Sequence, residues 1–191
     1  MAFVSWLSWG ESTSEKNVAP TPSNEMVISP SPSLETPLPE EQQDVTRWPT
    51  YTHKNGFYKI KFPPEWFWRR SIIEETGEIV GFDDVSVPEL RDNYSGKVSI
   101  KITNQSRIDF VSSQEKLLGD VVKEDIVIDG ETATQIKGKW LDNAELFPGV
   151  IQEYIVVERG GRTFVIGSGF VTDENIRGIF NSMISSFDLL R

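Results

Sequence analysis

The clearest pattern in the chain is alternation. Tyr58, Ile60 and Phe62 are apolar and Lys59 and Lys61 between them are charged, the period-two signature of a strand with one buried face. Lys54-Asn55-Gly56 ahead of it is a turn signal. Pro63-Pro64 behind it cannot continue a ladder and suits the first turn of a short helix, which would set Trp66 against the sheet. Further strands are predicted at Trp68–Glu74 and Ile79–Phe82, joined by a turn at Glu75–Glu78. Another follows at Lys97–Thr103, where Val98, Ile100 and Ile102 oppose Lys97, Ser99 and Lys101. Residues 83–96 lack a clean period and read as a surface loop, with a short helix around Val87–Arg91.

Downstream, Ser112-x-x-Glu115 matches a capping box, and Leu117, Leu118, Val121 and Val122 fit a helix over about 113–122. Asp129-Gly130 and Gly160-Gly161 are hairpin dipeptides. They pair Asp125–Ile128 with Thr132–Gly138, and Val150–Glu158 with Arg162–Gly169. Ile176, Ile179, Phe180, Met183 and Ile184 recur at helical spacing behind Thr172-Asp173-Glu174, a helix start. Strands, helix, two hairpins and helix, with the hairpins pairing antiparallel, point to an α+β layered sandwich.

The N-terminal quarter is of a different kind. Residues 11–46 hold six of the eleven prolines among Ser, Thr and Glu, and read as a disordered, extended spacer. Residues 1–10 (MAFVSWLSWG) are apolar but too short to span a bilayer. They are readable as the end of a membrane anchor, a sticky docking segment or a plain terminus. The folded domain is expected over 47–191. If the natural chain extends upstream of Met1, an extracytoplasmic, membrane-associated protein is expected; otherwise a soluble one.

Charge and residue types then exclude chemistries. A net charge of −10 does not suit phosphate binding, so no nucleic-acid partner is expected. Residues 1–45 contribute seven acids against one base, which leaves the domain only mildly acidic. With no cysteine there is no disulfide framework, thiolate metal site or cysteine nucleophile. His53, the single imidazole, reads as a loop residue and not a ligand. Asp83, Asp84, Glu89 and Asp92 lack the spacing of a calcium loop and read as solvated charge. Glu74 and Glu75 point to opposite faces of a strand, and no nucleophile elbow or phosphate loop is present. No catalytic residue, metal site or cofactor is expected.

Three motifs resemble the PsbP-like family: Gly56-Phe57…Phe62-Pro63-Pro64-x-Trp66, then Ile126-x-Ile128-Asp129-Gly130-x-x-Ala133, then Ile179-Phe180…Ser185-Ser186-Phe187. The resemblance spans roughly residues 48–191. It implies an α/β/α sandwich around a central antiparallel sheet and a non-catalytic accessory or adaptor role on a protein partner or membrane complex. The alternative is a small-ligand or metal-binding extracytoplasmic domain. Trp66, Phe67 and Trp68 are contiguous, so one face cannot bury all three. Exposed Trp beside Arg is the composition of a binding hot spot. The partner-binding candidates are therefore Trp68, Arg69 and Arg70, with Trp140 as a second rim residue.

Overall fold

The computed structural model describes residues 44–73, 77–85, 96–141 and 149–190. A short 3-10 turn (Val45–Arg47), capped by the Asp44 carboxylate, leads into β1 (Thr50–Thr52) and β2 (Tyr58–Lys61). The main run follows: β3 (Phe67–Ile73), β4 (Gly77–Asp83), β5 (Val98–Thr103), α1 (Arg107–Glu115), β6 (Leu118–Ile128), β7 (Glu131–Trp140), β8 (Ile151–Arg159) and β9 (Arg162–Ser168). The described chain ends with α2 (Glu174–Ser185) and the short β10 (Asp188–Leu189). All strand pairing among the described residues is antiparallel. One sheet has the order β1-β2-β10 and the other β3-β4-β5-β9-β8-β7-β6.

Period-two alternation sorts the large sheet into two faces. Val80, Phe82, Val98, Ile100, Phe164, Ile166, Ile155 and Val157 point one way. They pack against Tyr58 and Ile60 of the small sheet and Ile176, Ile179, Phe180 and Met183 of α2. Ile136, Val156 and Val165 point the other way, onto Phe110 and Val111 of α1. The result is three layers, with α2 and the small sheet together forming one of them. Burying a side chain such as Phe82 or Phe164, neither exposed at all, stabilises by roughly 1.5–3 kcal/mol.

The expected α+β class, the first strand and both hairpins are present. So is the last helix, where the Asp173 carboxylate accepts from the Asn175 and Ile176 N–H groups at 3.0 and 3.1 Å. Trp66 is buried at the turn after Pro63-Pro64, its N–H on the Pro63 carbonyl at 3.0 Å.

Two elements differ. The residues after Pro63-Pro64 make a turn and not a short helix. The helix expected over 113–122 lies earlier, at Arg107–Glu115, and residues from Leu118 onward are strand. Its cap is Ser106, whose Oγ accepts from the Asp109 N–H at 3.1 Å while donating to the Asp109 carboxylate at 2.7 Å. Leu117, Leu118, Val121 and Val122 fit either period. Pairing with β7 from Leu118 to Ile128 decides for strand, helped by Gly119 and two β-branched valines, all weak helix formers. The expected turn at Glu75, the helix around Val87–Arg91, most of the two long loops and residues 1–43 lie outside the described residues.

Candidate interaction surface

Among the described residues, strand β3 is an outer edge of the large sheet, paired to β4. It splits the expected Trp-Arg-Arg run between faces. Trp68, opposite Phe82, and Arg70, opposite Val80, turn toward the small sheet, whereas Arg69, opposite Gly81, turns to the α1 side. Phe67 and Trp68 are 45% and 46% exposed and Ile72 is 68% exposed, so three large apolar side chains crowd one short edge.

Trp68 is nevertheless held. Its ring meets the buried Tyr51 ring edge-on, 4.9 Å between centroids, a favoured aromatic geometry. Arg70 grips Glu78 with both arms of its fork, through Nε to Oε1 and Nη2 to Oε2 (3.2 Å). Burial opposes ionisation of Glu78, but the Arg70 hydrogen bond and nearby positive charge outweigh it and hold the carboxyl below its ordinary range.

Behind this pair stands His53, in the loop between β1 and β2 as expected, but buried there and partnered. His53 is 2% exposed, and its ring stacks between Phe57 and Tyr58. Its Nδ1 accepts from the Asn55 N–H at 3.3 Å, so the proton sits on Nε2, which donates to Glu78 Oε1 at 3.1 Å. Burial pushes the imidazole below its usual value despite the carboxylate beside it. Tyr58 is fully buried with Tyr51 beside it, and its hydroxyl meets no partner in good hydrogen-bonding geometry among the described residues; burial drives its ionisation far upward. The missed signal was positional: Glu78 shares the inward face of β4 with Val80 and Phe82, and an acid on an inward face needs a partner.

Trp140 belongs elsewhere. It lies on β7, five strands from β3, or roughly 24 Å at about 4.8 Å per strand. It is half-buried against the α1-side core, with Nε1 3.5 Å from Gln152 Oε1. The candidates therefore form two separate places. Asp83, expected to be solvated, is buried, and its carboxylate accepts from the Val85 and Lys97 N–H groups, both at 3.0 Å. It closes a loop. Among the described residues no group of three His, Asp or Glu side chains gathers as metal ligands do. No described helix is long and apolar enough to cross a membrane.

No family model matches the sequence, and no curated protein is similar to it. Among solved structures, the chain is similar to the cyanobacterial PsbP protein CyanoP of Synechocystis sp. PCC 6803. The TM-score is 0.44 and the identity 14%, over 74% of this chain and 91% of that one. It is also similar to the Saccharomyces cerevisiae Ran-binding protein Mog1p, with TM-score 0.44 and 8% identity over 75% and 95% of the two chains. A third is the Pseudomonas aeruginosa protein PA94, of unknown function, with TM-score 0.38 and 11% identity over 73% and 94%. These likenesses concern the course of the chain and assign it to no family.

Proposed function

We propose that this chain is a non-catalytic accessory domain that binds a protein partner through the outer edge of β3. The observation that supports it best is the state of Trp68: nearly half exposed, yet anchored edge-on against Tyr51 beside a clamped Arg70. An aromatic side chain already ordered before binding loses little entropy on docking, and Trp and Arg dominate binding hot spots. The outer side of β3, along which no described strand pairs, adds a row of backbone hydrogen-bonding positions.

In this reading the Pro-rich stretch over 11–46 is a spacer and the apolar residues 1–10 are the tethering end. The partner is then a protein or protein complex at a membrane. A crosslinked pull-down from native membranes tests it. Trp68→Ala combined with Ile72→Ser should abolish capture of the complex, and Trp140→Ala should leave capture unchanged. Capture undiminished by the double variant removes the reading.

A further inference from the structure

The opposite edge of the large sheet, β6, has a pattern of its own. No described strand pairs with its outer side. A bulge at Asp120, whose φ is 52°, shifts the register between Gly119 and Val122, so the regular part of the edge begins near Val121. Val122 and Val127 along it are 65% and 71% exposed. Three successive charges, Lys123-Glu124-Asp125, lie between them. Charges on an edge commonly guard it against pairing. Here their order is self-complementary. Counting outward from Glu124, Lys123 mirrors Asp125, Val122 mirrors Ile126, and Val121 mirrors Val127.

The backbone agrees with this centre. The β6–β7 hairpin closes on Ile128 and Glu131 across Asp129-Gly130, with φ of 49° and 80°, a two-residue turn of type I′. Such a turn closes on a hydrogen-bonded pair, and hydrogen-bonded and open positions then alternate along the strand. Ile128, Ile126, Glu124 and Val122 therefore bond inward to β7. The N–H and C=O of Val127, Asp125 and Lys123 face outward.

We propose that two copies of this chain pair antiparallel along β6, about a two-fold axis at Glu124, to form one continuous sheet. Lys123 of each copy then forms a hydrogen-bonded pair with Asp125 of the other, with opposite charges adjacent on the α1 side. Val122 meets Ile126 on the α2 side, and Val121 meets Val127. The contact runs seven residues, roughly 24 Å at about 3.4 Å each. Lys123 and Asp125 already have partners within the chain: Glu115 for one, Thr134 and Arg107 for the other. Those contacts lie at the surface, where ion pairs contribute little and exchange freely. Glu124 faces its own copy at the non-hydrogen-bonded centre. It is the one like-charge pair in the register.

Sedimentation velocity on the full chain across micromolar to near-millimolar concentration tests the proposal. The wild type should dimerise. Lys123→Glu sets acid against acid twice and should weaken the dimer at least about tenfold, whereas the swap K123D/D125K restores the opposite pairing and the dimer. Glu124→Gln should tighten it by up to about fivefold. The chain has no native cysteine. Glu124→Cys therefore places one thiol directly opposite its copy, at the Cα separation of about 4.5 Å that a disulfide accepts. It should crosslink under mild oxidation far faster than Glu65→Cys, at another exposed position. If Lys123→Glu impairs folding, Val127→Lys replaces it as the disrupting variant. A monomer at every concentration overturns the proposal, as does a dimer indifferent to the disrupting variant or Glu124→Cys crosslinking no faster than the control. The Trp68 edge lies at the other side of the sheet, so Trp68→Ala leaves this dimer intact and the two readings fail separately.

Discussion

His53 Nε2 donates to Glu78 Oε1 at 3.1 Å, joining two residues 25 positions apart and tying the end of the small sheet to β4 of the large one. Arg70 grips the same carboxylate from the edge strand. One acid thus fixes three elements: the turn after β1, the central side of β4 and the exposed edge that carries Trp68.

The pair makes stability sensitive to acid. His53 is held below its ordinary value of 6.5 by burial, so between the folded and ordinary values the unfolded chain binds more protons. The contribution is complete above 6.5 and is lost as pH falls through that value toward the folded one. Glu78, also held low, adds a second loss below its ordinary 4.5. Chemical unfolding between about pH 7.5 and pH 5 should show stability declining in the wild type and a flatter profile in His53→Gln. Equal slopes in the two proteins would take His53 out of the explanation.

Tyr58→Phe removes a buried hydroxyl that lies beside Tyr51 but meets no partner in good hydrogen-bonding geometry among the described residues. Leaving such a group unpaired costs about 1–3 kcal/mol, so the variant should match or exceed the wild type in stability, by up to about 1 kcal/mol. A loss of more than about 1 kcal/mol in urea titration would mean that the hydroxyl is bonded.

Gly77 opens β4 at φ +97°, and a Cβ placed there would lie 2.1 Å from the Ile102 carbonyl oxygen. Both the backbone conformation and the close approach need glycine. Gly77→Ala should cost about 2–3 kcal/mol or more, measured as a shifted urea midpoint at unchanged slope. The same exchange at Gly178, in α2 with nothing within 4 Å of its added Cβ, should be neutral or stabilising by up to about 1 kcal/mol.

Asp173→Ala removes the side chain that caps α2 through two backbone N–H groups. A loss of about 1 kcal/mol in thermal unfolding is expected, and Asp173→Ser should recover most of it.

Elements whose signal is local were legible from the chain alone. The strand Tyr58–Lys61, the turns at Asp129-Gly130 and Gly160-Gly161, and α2 each have a period, a cap or a turn dipeptide. Each of these signals lies within a few residues of the element it marks. The burial of Trp66 and the exposure of part of the aromatic run followed from geometry too, since adjacent strand residues cannot share a face.

What tertiary structure decided is what pairing across the chain decides. Leu118–Val122 satisfies both the helical and the extended period, and only β7 alongside it makes it strand. His53 has no acid near it in sequence; Glu78 arrives through the sheets, and a loop histidine becomes a buried strut. Trp68 and Trp140 look equivalent as sequence and end five strands apart, because strand order is not written in strand pattern. The sequence alone determined which segments alternate, turn and coil. Which faces meet, which acid reaches which base, and which two edges stay open depended on long-range hydrogen bonding that no local window contains.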